Sequence, residues 1–298
     1  MERSKLEKIA VHDGVFHPDE LFALAILKNI NPGIEIIRTR DPNKLSKADA
    51  RVDVGRKYNP NTHDYDHHQE EGAGKRENGI LYASAGLIWK HFGHDVAKTQ
   101  DCFDYLDEKI LQSIDAEDNG IMTYDIINAN PYTFSSSIIS LNNSWRVGKE
   151  SVDSAFNRAL SLTELVLNNE LIKGEKSAEH KPIIISKLKE FENKPYVILD
   201  KDYFWEQFII KNTNKLFVIL PINGSNTWAV YSVPSKTYGF DLRKPFPDSW
   251  RGLAGNDLAE VTGVSDAIFC HNKGFITVAE SKEGAKKLAD IATEYSKI

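Results

Sequence analysis

Short apolar runs and amphipathic stretches alternate in a regular order along the first hundred residues. Lys8-Ile9-Ala10-Val11 is an apolar run that ends at His12 and is broken by Asp13-Gly14. Pro18 then opens a helical pattern, with Leu21, Phe22, Ala25 and Ile26 on one face and a stop near Asn31-Pro32-Gly33. Ile34 to Arg38 and Ala50 to Val54 read as two further strands, closed by Asp41-Pro42 and Gly55. Strand, helix, strand at this spacing is a βαβ unit and predicts a parallel sheet. Functional groups in open parallel sheets gather at the carboxyl ends of strands, and His12 and Asp53 stand there.

Residues 55–80 are polar and glycine-rich and read as a long loop carrying Asp66-His67-His68. Ser84 to Phe92 is helical in pattern. Asp101 to Ile114 is a stronger helix, with Phe103, Leu106, Ile110, Leu111 and Ile114 on one stripe. Asp115 and Asp118 lie just past that stripe. Ser151 to Leu171 is amphipathic, and the polar stretch Lys173 to Lys181 reads as a solvated helix end or linker. A second βα region follows, with strands at 196–199, 216–220, 227–233, 267–270 and 275–278 and a closing helix from Ser281 to Tyr295. The expected fold is α/β in two domains. Residues 1–180 form a parallel-sheet domain of the DHH type, and residues 181–298 a smaller α/β domain that closes a cleft over the substrate.

A net charge of −6 excludes a protein that coats nucleic acid by bulk electrostatics, so such a partner needs a local basic patch. The two cysteines, Cys102 and Cys270, offer neither a disulfide framework nor a thiolate zinc site. They read as free thiols in a reducing compartment. No apolar stretch is long enough to span a membrane. Met1 to Lys8 lacks the apolar core of a signal peptide, so a cytoplasmic protein is expected. The oligomeric state, monomer or homodimer, stays open.

The chemistry concentrates in five segments: His12 with His17 and Asp19, then Asp53, then Asp66-His67-His68, then Asp115 and Asp118. Carboxylate with neutral imidazole suits Mn²⁺, Fe²⁺, Zn²⁺ or Mg²⁺. An acidic, histidine-containing pair of metal ions is the usual apparatus for hydrolysing phosphate esters. Asp53 lies in a strand that reads as buried, where a carboxylate needs counter-charge. Three acidic residues at a helix C-terminus also call for cations. In the distal half, Arg251 in Trp250-Arg251-Gly252-Leu253 offers a guanidinium fork for phosphate, and His271 and Gly274 flank a tight turn. Arg146 is a weaker candidate, and the tryptophans 145, 205, 228 and 250 read as core more readily than as base-stacking platforms.

Asp66-His67-His68, after a strand aspartate and an N-terminal H-x-D element, resembles the DHH phosphoesterase superfamily. The match is closer to one branch. V-H-D-G-V-F-H-P-D-E, D-V-G followed by Y-D-H-H-Q, S-A-G-L-I-W-K-H-F-G, D-A-E-D-N-G-I, W-R-G-L and F-C-H-N-K-G-F-I resemble the melanocyte-proliferating-gene (Myg) family in its own order. That family was long labelled "metal-dependent protein hydrolase" and is associated with 3′–5′ RNA exonuclease activity. The resemblance implies that His12, His17 and Asp53 hold one ion. It implies that Asp19, Asp53, His67 and Asp115 hold the other, with Asp53 bridging. His68 then faces the phosphate, and Asp118 counts with His68 and Arg251 among the catalytic residues, as the partner that orients a ligand histidine. The superfamily usually has an aspartate where this chain has His17, and the extra imidazole tilts the site toward softer ions. Two divalent ions, Mn²⁺ first, are the expected cofactors, and RNA or a short oligonucleotide the expected substrate. A small-molecule phosphoesterase or pyrophosphatase shares the same metal pattern. The older label adds a peptidase, and a non-catalytic metal or nucleotide binder is the remaining alternative.

Overall fold

The computed structural model describes residues 6–124, 128–142, 151–237 and 239–295. The chain is mixed α/β and divides into two compact units, Met1–Glu175 and Lys176–Ile298.

In the first unit, β1 (Lys8–Val11), α1 (Pro18–Ile30), β2 (Glu35–Arg38), α2 (Pro42–Leu45) and β3 (Ala50–Val52) follow the expected order. Two short strands complete the sheet, β4 (Tyr58–Asn59) and β5 (Asp64–Tyr65), giving the order β2-β1-β3-β5-β4. All pairs are parallel except β4 with β5. The stretch read as a long loop therefore holds two strands. Each has two residues, too few for a period-2 pattern to show. Their pairing matters, because Arg51 opposes Asp64 and Val52 opposes Tyr65 in parallel register. Asp53 and Asp66-His67-His68 thus leave neighbouring strands at the same end.

Alternation along β1 sends Ile9 and Val11 into the main core, while Ala10 packs on the other face with Ala48 and Val54. The main core is closed by α1, α3 (Ser84–Val96), α4 (Gln100–Leu106) and α5 (Gln112–Asp118). A π-helical turn, Asp107–Leu111, joins α4 to α5. The helix thus runs on to Asp118 and does not stop at Ile114. Asp115 and Asp118, three residues apart, share one helical face. α6 (Phe134–Leu141) follows, and Asn142 just beyond it exchanges two hydrogen bonds with the Phe16 backbone, pinning the loop that carries His17.

α7 (Val152–Glu190) continues through the stretch read as a linker. Its polar residues sustain it through i,i+3 pairs such as Lys173–Glu170 and Lys176–Glu179. Position 174 within this helix is a glycine because a Cβ there would meet the Cys102 Sγ at 2.9 Å. The boundary between the units falls inside this helix.

The second unit holds β6 (Tyr196–Ile198), α8 (Glu206–Asn212), β7 (Phe217–Pro221), β8 (Trp228–Ser232), α9 (Gly255–Thr262), β9 (Ala267–Cys270), β10 (Ile276–Ala279) and α10 (Lys282–Glu294). Its sheet order is β6-β7-β8-β10-β9, parallel only between β6 and β7. Trp205 and Trp250 are buried, Trp228 is partly so, and Cys102 and Cys270 are buried free thiols. Trp145 and Arg146 lie outside the described residues. Among the described residues no helix is long and apolar enough to cross a membrane.

Candidate metal centre

Three strand ends and two helix ends of the first unit converge on one cluster. His12 ends β1. His17 precedes α1, and Asp19 and Glu20 form its first turn. Asp53 follows β3 in a left-handed conformation (φ 55°) that turns its carboxylate out of the strand direction. His67 and His68 follow β5, and Asp118 ends α5. The ligand atoms form three groups, the atoms within each lying within 4.8 Å of one another: His12, His17, Glu20 and Asp53; Asp53, His67 and His68; and Asp19, His67 and Asp118. Asp53 belongs to two of them. Its Oδ2 lies 3.3 Å from His12 Nε2, while its Oδ1 lies 3.7 Å from His67 Nε2.

His12, Asp19, Glu20 and Asp53 are buried and short of positive charge, while His17 and His68 are exposed. His12 Nδ1 sits 3.2 Å from the Asp13 carbonyl, which makes it the donor, so Nε2 points at Glu20 Oε1 (3.1 Å) and at Asp53. A neutral ring would set its lone pair against two carboxylates, so a proton or a cation belongs there. Without a cation, burial, which by itself lowers the value, is outweighed by Asp53 and Glu20, and the His12 imidazole is driven up to about 10. Burial, with Asp53 and Asp118 nearby, raises Asp19 well above the carboxylate range, and burial likewise raises Glu20. His67 Nε2 is buried without a hydrogen-bond partner although Asp118 Oδ2 is 3.0 Å away and Asp19 and Asp53 oxygens lie just beyond. The separation alone would suggest an ion pair, but the N–H direction is wrong for a hydrogen bond. The ring nitrogen is aimed between three carboxylates, as a metal ligand is. Imidazole and carboxylate without thiolate fit Mn²⁺, Fe²⁺, Zn²⁺ or Mg²⁺.

The supporting contacts are specific. Asp19 takes hydrogen bonds from the amides of Ser84 and Ala85 at the N-terminus of α3. Both Glu20 oxygens accept from the His17 amide, at 3.0 and 2.9 Å. Asp66 is not aimed at the cluster. Its Oδ1 accepts from His68 Nδ1 (2.8 Å) and from the His68 amide, and its Oδ2 from the Arg56 amide. That bond to Asp66 raises the His68 value against the pull of burial, and leaves Nε2 free on a ring that is half exposed. The centre opens into a cavity of about 950 Å³ whose lining residues, from His12 to Ile139, all belong to the first unit.

The profile of a family described as uncharacterised protein family UPF0160, labelled MYG1 exonuclease, matches residues 8–293. The chain belongs to the Myg family. It is 31% identical to the MYG1 exonuclease of Homo sapiens over 330 residues, covering 96% of this chain and 86% of that protein. It is 30% identical to the MYG1 exonuclease of Rattus norvegicus, covering 95% of this chain and 83% of that protein. The MYG1 protein of Dictyostelium discoideum is 29% identical, with 94% of each chain covered.

In this Myg-family chain the structure brings together His12, His17, Asp19, Asp53 and His67, and adds Glu20 and Asp118. Asp115 does not join them. It is fully buried, paired with Arg76 Nη1 and accepting from the Gly86 amide at 2.9 Å. Burial pushes its carboxyl up to about 6 against the pull of Arg76. Gly86 is required there, because a Cβ would fall 1.8 Å from Asp115 Oδ2. Asp115 braces the start of α3, which in turn holds Asp19, and Asp118 one turn on reaches His67. Glu20 carried a legible signal, an acid three residues after a helix N-cap. Arg76 carried none, since its partners Asp107 and Asp115 are 31 and 39 residues away.

Arg251, His271 and Gly274 lie together in the second unit. Gly274 (φ 67°) closes the turn, and a Cβ on it would meet Arg251 Nε at 2.7 Å. Arg251 Nε donates to the Phe246 carbonyl and Nη1 pairs with Asp248 at 2.6 Å. His271 Nδ1 accepts from the Lys273 amide, and its ring packs on Phe275.

Proposed function

We propose that this chain is a metal-dependent phosphodiesterase of the DHH type that removes nucleotides from the 3′ end of RNA or short oligonucleotides. The observation that carries the reading is Asp53, a buried carboxylate with one oxygen in each of two adjoining imidazole–carboxylate groups. The name exonuclease on the human and rat relatives agrees with it.

In this reading His12, His17, Glu20 and Asp53 hold one divalent ion, and Asp19, Asp53, His67 and Asp118 the other. Such ions, when bound, supply Lewis-acid charge at the phosphate and lower the pKa of water. Asp66 fixes the His68 ring by its Nδ1, so that His68 Nε2–H is presented to a phosphate oxygen. The Ser84 and Ala85 amides keep Asp19 in place at no cost in reorganisation. Arg251 binds a phosphate of the strand, with His271 and Gly274 shaping the turn beside it. Mn²⁺ is the expected ion and the cytoplasm the expected compartment.

Purified protein, loaded with Mn²⁺, is to be offered linear RNA, circular RNA, DNA, dinucleotide, pyrophosphate and peptide. Shortening of 5′-labelled linear RNA with circular RNA untouched is the expected result. A cavity of about 950 Å³ also suits a single small phosphoester. Fast pyrophosphate or dinucleotide hydrolysis with all longer RNA spared would move the assignment there.

A further inference from the structure

We propose that Arg56 is a substrate-binding residue that holds the phosphate next to the one undergoing hydrolysis. This rests on the phosphodiesterase reading and adds a residue that neither the motifs nor the metal cluster assign. The cavity that opens onto the metal centre is lined by two arginines, Arg40 and Arg56, and by no lysine. Arg40 is committed elsewhere, with its Nη1 on Asp13 Oδ1 at 2.6 Å and on the Asp13 carbonyl. The neighbouring Lys57 is committed to Asp64 at 3.0 Å. The Arg56 guanidinium is exposed and makes no hydrogen bond or ion pair among the described residues. In the phosphodiesterase reading the ions held by the carboxylate floor meet only the reacting phosphate, so the next phosphate of a strand needs a cation of its own at the rim.

The backbone holds Arg56 in a defined place. Asp53, Gly55 and Arg56 are all left-handed, at φ 55°, 102° and 52°, so the chain turns back on itself after β3. Arg56 is three residues from Asp53, which limits their Cα separation to about 11 Å. Its amide donates to Asp66 Oδ2 at 2.6 Å, while Asp66 Oδ1 orients His68. One buried carboxylate thus ties the His68 ring and the Arg56 backbone to each other, with Arg56 among the residues that line the cavity. A residue that served only the turn would be better as glycine at this φ.

The test is binding of a fluorescein-labelled phosphorothioate RNA decamer, which resists cleavage, to the Mn²⁺-loaded protein. Arg56→Gly relaxes the backbone while removing the cation, so folding and metal content are preserved. Its Kd for the decamer should rise about tenfold, with a log–log salt slope shallower by about 0.7, the share of one phosphate contact on a single strand. Arg56→Lys should restore the slope. Affinity for a nucleoside monophosphate, which has no neighbouring phosphate, should change less than twofold. Lys98→Ala, a surface cation paired with Glu175, controls for net charge. Unchanged decamer affinity and slope, or an equal loss on the monophosphate, overturns the assignment. If the wild type cleaves no phosphodiester but Arg56→Gly weakens the decamer as stated, the hydrolytic reading fails and Arg56 stands as a contact to one phosphate of a bound strand. Cleavage by the wild type with decamer binding indifferent to Arg56 leaves that reading in place and removes this one.

Discussion

Replacing Arg76 by methionine leaves Asp115 buried without its counter-charge, and the structure sizes the result. Arg76 donates from Nε and Nη2 to Asp107 and from Nη1 to Asp115, which is fully buried. A carboxylate left charged there costs about 3–5 kcal/mol. It has a cheaper escape, which is to take up a proton. Its carboxyl already sits near about 6, so protonation at pH 7 costs about 1.4 kcal/mol. Loss of the charged hydrogen bonds to Asp107 adds about 1.5–3 kcal/mol. The expected destabilisation is therefore about 3–4 kcal/mol at pH 7, a large share of a typical total of about 5–15 kcal/mol. The pH dependence has a definite sign. A folded-state value raised above the unfolded 3.8 gives stability that is present below 3.8 and lost as pH rises through about 6. Without Arg76 the folded value moves higher still, so the variant goes on losing stability above pH 6 while the parent does not. At pH 5 the Asp115 part vanishes, and the difference should shrink by about 1.4 kcal/mol. Urea unfolding of both proteins at pH 5 and 7, with chelator present, measures it. Asp115→Asn in the Arg76→Met background should recover the pH-dependent part. A loss below 0.5 kcal/mol at pH 7 (about a third of the protonation cost), or an equal loss at both pH values, would refute the idea that Arg76 neutralises a buried Asp115.

Asp53→Ala should remove both metal ions and abolish hydrolysis, whereas Glu20→Gln should remove one; two equivalents by mass spectrometry in the Asp53 variant would end its bridging role. His12 is raised from 6.5 to about 10 in the absence of a cation, so the stability it lends the metal-free protein is full below pH 6.5 and lost as pH rises toward 10. Thermal melts should show that decline in chelator and not with Mn²⁺, and a metal-free melting temperature flat over this range would contradict it. Arg251→Lys keeps the charge but loses the planar fork, and turnover should fall tenfold or more, about 1.4 kcal/mol, at constant metal content. Wild-type rates on every phosphoester would make Arg251 a surface charge paired with Asp248.

Resemblance to the Myg family implied the grouping of His17, Asp19 and His67 with His12 and Asp53, whereas the sequence by itself determined the βαβ unit and the strand ends that carry His12 and Asp53. These are local signals: an apolar run, a proline at a helix start, a polar residue where a strand stops. It also located the five strands of the second unit, since each is bounded by its own turn residues. It did not show that α7 runs unbroken past Lys181, because a polar helix face and a polar linker have the same composition until ion pairs three residues apart are seen to form. Nor did it separate Asp115 from Asp118. Both stand on one helical face, and the difference is made by partners remote in the chain. Arg76 and the Gly86 amide claim Asp115, while the parallel pairing of β5 with β3 brings His67 within reach of Asp118. Which carboxylate meets a cation and which meets an arginine depends on strand register and helix packing, and those are properties of the assembled sheet and its helices that no window of sequence contains.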